Sequence, residues 1–329
     1  MRIAEVRKSY TYTRILPKNF IIEDQLRFDP IRECLVSEAF VEKLQGVSLS
    51  QYYLFSGTKL LEDFCLPIQK RGRVQVWKLW LKSLVFPKSV ISEAIWVTDI
   101  WSRNYFHWIL ECLPRLLALQ AQGIKAPILI PEHIYGAPYI QESLADLQME
   151  VISFNFRETV KVATLFVASH DAPCAFDPTY LKSVILKFKE LDSPQTKKAT
   201  RKIYVSRKEA GKRKVENESE LIPIVQDYGF EILQMEKLSF RDQRDLMRET
   251  KILMSIHGAG LANLIFMPQD AKVIELHPNT ERYNSCFYHL AAAINLDYYY
   301  SFEKADHPNP QEANITVDLE KLENLLKTL

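Results

Sequence analysis

Glycine is scarce in this chain: there are nine in 329 residues. Charge of one sign is scarce too. Forty-two basic residues face forty-one acidic ones, for a formal charge of +1, so no bulk attraction to nucleic acid is expected and nucleic acid is not a predicted partner. Five cysteines, Cys34, Cys65, Cys112, Cys174 and Cys286, lie far apart. None has CxxC spacing, which argues against a zinc knuckle. An odd, scattered set predicts buried free thiols in a reducing compartment. No charged segment followed by an apolar one opens the chain, and no run approaches ~18 apolar residues. The expected location is cytoplasmic, with peripheral association at the inner face of a membrane compatible. Two catalytic signatures are also missing. There is no GxSxG elbow, which speaks against a serine hydrolase, and no Lys-Ser or Lys-Thr follows the glycines, which speaks against a P-loop.

Apolar residues make up 47% of the chain, enough for a sizeable core. The stretch LDSPQTKKATRK (191–202) is polar and aperiodic and reads as an exposed linker. After it, strands and helices alternate. Strands are predicted at 202–206, 230–235, 251–256, 272–276 and 298–302, with helices at 217–229, from Ser239 to Met247, and at 285–295. That alternation predicts a parallel sheet covered on both faces. Before the linker, strands are predicted at 94–100, 127–131, 151–154 and 164–169, with helices at about 104–122 and 179–191. Residues 1–93 hold short aromatic-rich strands without a clean period. The predicted organisation is α/β: an N-terminal lobe over 1–190, a linker over 191–200, a C-terminal lobe over 201–310, and a last helix within 311–329 packing back on the N-terminal lobe. Ligands are expected in the cleft between lobes, at the carboxyl ends of strands.

Two of the few glycines flank one alanine in KILMSIHGAGLANLIFM (251–267). Strand, glycine turn and helix in sequence make a phosphate-binding corner in many nucleotide proteins. Gly258 and Gly260 match the first two positions of GxGxxG, and Asn263 stands at the third. Glu275 ends the next strand, where an acidic residue bonds ribose hydroxyls in dinucleotide folds. The plainer alternative is a close-packed turn in which the glycines only let helix and sheet approach.

In NYFHWILECLPR (104–115), His107, Glu111 and Arg115 are spaced i, i+4, i+8 and share one helical stripe. The alternative is a solvated face with an ordinary Glu111–Arg115 salt bridge. Pro114 predicts a kink. In YVSRKEAGKRKVENE (204–218), Arg207 follows a strand end, and Lys208, Lys212, Arg213 and Lys214 crowd the loop after it. A basic loop in that position suits an anionic ligand, with Arg207 and Arg213 the chosen residues and the lysines solvated.

The three blocks 104–116, 204–218 and 257–276, in that order, resemble glycosyltransferase family 61. The resemblance covers about residues 95–300. It implies a GT-B fold, two Rossmann-like lobes across a cleft. It also implies inverting transfer from a nucleotide sugar, usually UDP-linked, to a glycan or glycolipid acceptor. A bacterial cytoplasmic member acting in capsule or lipopolysaccharide biosynthesis is expected. The donor contacts it implies are Arg207, Arg213, Asn217, Glu218, His257, Gly258, Ala259, Gly260, Leu261, Asn263 and Glu275. Asn104, Trp108 and Arg115 fall on the acceptor side, and the base is Glu111 or His107. No DxD is present, and arginines supply charge, so no metal or other cofactor is expected. A reading of another class is a non-catalytic subunit that binds nucleotide sugars or positions a partner transferase.

Overall fold

The strands beyond residue 200 carry Val, Ile, Leu and Met on both faces, so both faces must be covered. The computed structural model describes residues 1–64, 73–85, 87–192 and 198–329. Among these, six strands form one sheet in the order Phe230–Leu233, Arg201–Val205, Thr250–Ile256, Lys272–Pro278, Asp297–Ala305, Ile315–Thr316. The first five run parallel, and the last pairs antiparallel with Asp297–Ala305. Arg201–Val205 is first in sequence but second in space. The sheet grows to one side with Phe230–Leu233 and to the other from Thr250–Ile256 onward. That reversal lies between strands ending at Val205 and Ile256, and ligands favour such switch points in open parallel sheets.

Local sequence sets the helices around this sheet. The Ser239 hydroxyl accepts from Asp242 N at 3.1 Å and caps Phe240–Arg248. Glu218–Asp227 is followed by Gly229 at φ +80, a left-handed stop that suits glycine. Leu322 and Leu326 of the last helix, Leu319–Leu326, join a core with Tyr204, Leu221, Ile252 and Ile274. The helix therefore packs on its own sheet, where its apolar stripe finds the nearest uncovered face, and not on the N-terminal lobe as expected.

An eight-stranded mixed sheet lies earlier in the chain, with a path of Lys59–Leu60, Tyr53–Ser56, Ala39–Ser50, Thr159–Ala168, Pro87–Trp96, Ile128–Pro131, Val151–Phe154, and with Arg2–Arg7 pairing antiparallel to Ala39–Ser50 beside it. Its last four strands are parallel, and Ala39–Ser50 pairs antiparallel with Thr159–Ala168. Contacts divide the chain into two units: Met1–Tyr10, Leu35–Pro173 and Leu186–Leu191; and Thr11–Cys34, Cys174–Ile185 and Asp192–Leu329. The second unit thus recruits an early segment. Lys18 N donates to Tyr298 O at 2.8 Å, and the Asn19 amide bonds both Tyr300 O and Tyr300 N. The segment covers backbone of Asp297–Ala305 that the sheet leaves unpaired there. Phe28, with no exposed surface, packs edge-on against Tyr283 and Tyr288.

The cysteine expectation needs correction. Cys174 and Cys286 form a disulfide, with Cα atoms 5.3 Å apart. They are 112 residues apart in sequence, so no local pattern could announce the pair. Cys34 and Cys112 are free and buried, and Cys65 lies outside the described residues. Of the predicted linker, 193–197 also lie outside them. Asp192 is not an exposed linker residue: its carboxylate is buried against Arg244 at 2.5 Å and Arg248 at 3.6 Å.

Candidate functional site

The strand Arg201–Val205 delivers Ser206 and Arg207 to one side of the switch point, and Thr250–Ile256 delivers His257 and Gly258 to the other. The segment after Gly258 is a 3-10 helix, Ala259–Phe266, closed by Leu261 N donating to Gly258 O at 2.9 Å. Its leading N–H groups have no intrahelical acceptor, as at any helix start. Ala259 and Gly260 are partly exposed at this corner, whereas Leu261 and Asn263 are buried. Asn263 donates to Gln243 Oε1 at 2.8 Å and braces the turn from behind. Leu261 and Asn263 therefore shape the corner without facing a ligand.

The Arg207 guanidinium stands over this corner, and Arg213 lies in the loop that it holds. Arg207 donates to the carbonyls of Arg213 (3.1 Å) and Lys212 (3.3 Å), which folds the basic loop around it. A Cβ on Gly258 would lie 2.6 Å from Arg207 Nη1, so the guanidinium packs directly on the glycine backbone. Arg213 sits at φ +58, uncommon for a residue with a side chain. It reaches Gln311 Oε1 at 3.4 Å, and its Nε is buried without a hydrogen-bond partner. Among the described residues neither arginine forms an ion pair. Burial lowers the pKa of both, and for Arg213 the nearby Arg207 charge lowers it further. Glu236 near Arg207 and Glu312 near Arg213 offset part of this without an ion pair, and two partly desolvated like charges so placed suit an anion from outside the protein.

The other predicted donor contacts are used internally. The Asn217 side chain donates to Val317 O and accepts from Val317 N, both at 2.9 Å, and so pairs like a strand. Glu218 is buried and accepts from Tyr204 OH at 2.9 Å. Glu275 has no exposed surface: Oε1 meets His257 Nδ1 at 2.5 Å and Oε2 accepts from Tyr298 OH at 2.6 Å. It pairs mid-sheet between Ser255 and Tyr300, well inside the strand Lys272–Pro278, so it cannot present its carboxylate to a ribose. His257, Glu275 and His277 have ligating atoms within 4.8 Å of one another. His277 Nε2 lies 2.8 Å from Asn284 O and Nδ1 3.3 Å from Pro278 O, so both ring nitrogens face backbone carbonyls, and burial lowers the pKa of the ring. Glu275 bridges His257 and Tyr298 directly, whereas His277 lies beside them at 3.9 Å from Oε1 and faces backbone carbonyls.

In the first unit, the helix of the second block begins at Asn104, whose side chain accepts from Phe106 N at 3.0 Å as an N-cap. It then widens into a π turn over Trp108–Cys112, closed by Leu113 N donating to Trp108 O, and resumes as Leu113–Ala121 with Pro114 in its first turn. Proline there loses no intrahelical bond, so the predicted kink is replaced by a wide turn. The extra residue shifts the phase by about 100°, and the predicted stripe divides. His107 Nδ1 and Glu111 Oε2 are 2.8 Å apart and remain about a quarter exposed. Trp101 stacks on the His107 ring at 5.4 Å.

Arg115 is turned inward instead. It donates to Glu111 O at 2.9 Å, meets His170 Nε2 at 2.6 Å, and lies 3.7 Å from the Asp99 carboxylate. Trp108 has no exposed surface, and its Nε1 donates to Ser143 Oγ at 2.8 Å. Arg115 and Trp108 are therefore interior braces and not acceptor contacts, and Asn104 is a cap. Sequence reasoning missed Tyr298 and Trp101. Tyr298 lies 23 residues from Glu275 within an aromatic run, and nothing local singles it out. Trp101, six residues before His107, could have been noticed as the aromatic neighbour of the helix start.

Parts of this chain are similar to known proteins. The model of Glycosyltransferase 61 matches residues 105–274, from the His107–Glu111 helix to the strand carrying Glu275. The chain is 36% identical over 112 residues to the EGF domain-specific O-linked N-acetylglucosamine transferase of Drosophila melanogaster, covering 33% of this chain and 21% of that protein. The Rattus norvegicus protein of the same description is 33% identical over 105 residues, 30% of this chain and 19% of its own. The Pan troglodytes one is 30% identical over 126 residues, 33% and 24%. The aligned stretch thus spans about a fifth to a quarter of these curated relatives. The family match takes in just over half of the chain, and on that ground the chain belongs to glycosyltransferase family 61.

Proposed function

We propose that the chain transfers a sugar from a nucleotide sugar, UDP-linked, to a glycan or glycolipid acceptor with inversion at the anomeric carbon. The observation that carries the donor side is Arg207 at the switch point, packed on Gly258, with Arg213 in the loop it holds, neither forming an ion pair among the described residues. The leaving group of such a transfer is a nucleoside diphosphate. Its developing charge is met by the two guanidinium groups and by the N–H groups that open the turn at Gly258–Gly260. With that charge supplied by the chain, a divalent cation has no task left at the diphosphate. The names of the relatives make N-acetylglucosamine the first sugar to test. Their EGF-domain acceptor stays with them, because the aligned stretch is a fifth to a quarter of their length.

On the acceptor side, the oxygen of a hydroxyl forms the new bond to the anomeric carbon as the bond to the diphosphate oxygen breaks. The hydroxyl proton goes to the His107–Glu111 pair, in which one partner takes the proton and the other orients it. Capsule or lipopolysaccharide assembly is the setting proposed for this activity. Calorimetric titration with UDP and with uridine, with and without EDTA, tests the donor reading. Charge-assisted hydrogen bonds contribute about 1.5–3 kcal/mol, so UDP binds at least ~10-fold tighter than uridine, EDTA changes neither, and Arg207→Ala removes only the UDP advantage. Equal affinity for the two ligands, or loss of UDP binding on chelation, overturns the reading.

A further inference from the structure

His257 is nearly buried, with 4% of its surface exposed, and stands at the last position before Gly258. Its ring lies between His277, at 5.3 Å, and Phe287, at 4.9 Å. One ring nitrogen is committed: Nδ1 is 2.5 Å from Glu275 Oε1. The other, Nε2, has no hydrogen-bond partner among the described residues and is not among the fully enclosed polar atoms. A buried ring held by one nitrogen, with the other left open, is a preorganised contact in search of a ligand.

We propose that Glu275 and Tyr298 are positioning residues that fix His257 with Nδ1 protonated and Nε2 presented to an anionic oxygen of the donor diphosphate, beside Arg207. An ionised carboxylate accepts hydrogen bonds and donates none, so a contact to Glu275 Oε1 requires the proton on Nδ1. Glu275 is held in that form. Burial pushes its carboxyl up, but the charge and hydrogen bond of His257, the nearby His277 and the Tyr298 hydroxyl together bring it below the ordinary carboxylate value. Tyr298 fills the second oxygen and prevents the carboxylate from rotating away. Nε2 can contact an anionic oxygen only as a donor, so in the donor complex the ring bears a proton on each nitrogen and the Glu275 carboxylate balances its charge. This assignment replaces the ribose role expected for Glu275: the carboxylate acts through His257 and never touches the nucleotide.

The inference rests on the donor reading above, and its test separates the two. The full chain is labelled with ¹⁵N-histidine, and long-range ¹H–¹⁵N spectra are recorded for wild type, Glu275→Gln and Tyr298→Phe. The chain has seven histidines, so loss of one set of signals in His257→Gln assigns the ring. UDP and uridine are titrated into each protein. The expected wild-type spectrum has Nδ1 protonated. In Glu275→Gln that pattern is lost and UDP affinity falls about tenfold, with uridine affinity unchanged. Tyr298→Phe keeps Nδ1 protonated and loses about threefold in UDP affinity. A wild-type ring with bare Nδ1, or equal losses for UDP and uridine, overturns the proposal. Should Glu275→Gln fail to fold, the wild-type tautomer and Tyr298→Phe still decide it. Should wild type bind no UDP, the donor reading fails, and the spectra alone judge the positioning role.

Discussion

The guanidinium of Arg207 occupies the space that a side chain on Gly258 would need, with Nη1 2.6 Å from an ideal Cβ there. The two residues come from opposite sides of the switch point, so the glycine and the cation are parts of one device. Gly260 is different. A Cβ there would meet Met235 Cγ at 3.5 Å, Met235 Cβ at 3.8 Å and Val205 Cγ1 at 3.9 Å, all ordinary contacts.

Gly258→Ala and Gly260→Ala should therefore behave differently. Gly258 is extended at φ −172, so alanine brings no backbone strain, and the clashing atom is the end of a flexible side chain. Gly258→Ala folds with little loss of melting temperature but displaces Arg207 and weakens UDP binding about 10-fold. Gly260→Ala leaves UDP affinity within about twofold. Calorimetry beside thermal melts checks this. Equal loss in both variants would mean that backbone approach at the whole turn, and not the seating of Arg207, controls binding.

Glu111→Gln should leave UDP affinity unchanged and reduce transfer at least ~100-fold, the usual scale for loss of a general base. His107→Ala should show the same separation. The pair is a quarter exposed, so its contribution to stability is small, on the order of 0–1 kcal/mol. Single-turnover transfer at saturating donor is the measurement. Full activity in both variants returns the pair to an ordinary surface contact.

Two half-buried histidines make stability depend on pH. Burial, with the Arg14 charge, lowers the pKa of His289 to about 3, and burial with the Arg115 charge lowers His170 well below 6.5. The unfolded chain takes up these protons near pH 6.5 while the folded chain does not. Stability is therefore complete above pH 6.5 and falls as pH drops toward about 3, by up to ~1.4 kcal/mol per unit for each ring. His289→Gln should flatten the decline of melting temperature between pH 6.5 and 4.5. An unchanged slope would show that other groups dominate acid unfolding.

The second half of the fold was legible because its signals are local. Ser239 caps where a cap was read, Gly229 stops its helix, and each buried strand is a short apolar run. The site was legible only in part. Arg207, Gly258 and His257 stand where strand ends put them. Glu275 was misplaced because spacing to a glycine cannot tell a strand's end from its middle. The stripe through His107, Glu111 and Arg115 was drawn on a regular helix, and a π turn carries no marker in sequence beyond the awkward Pro114. Ala39–Ser50 went unread because its partner, Thr159–Ala168, lies more than a hundred residues away.

The bond between Cys174 and Cys286 turns the stretch between them into a covalent ring. A single backbone cut anywhere inside that ring separates no fragments: the molecule gains one water and keeps its mass on a gel until a reductant is added. The ring also persists in the denatured chain, where closing a loop of about 100 residues is worth roughly 4.7 kcal/mol in the chain-entropy description. Arg207, the basic loop, His257 and Gly258 all lie within it. The switch-point site is thus carried on one closed loop of chain, and its parts stay linked to each other even after proteolysis divides the polypeptide.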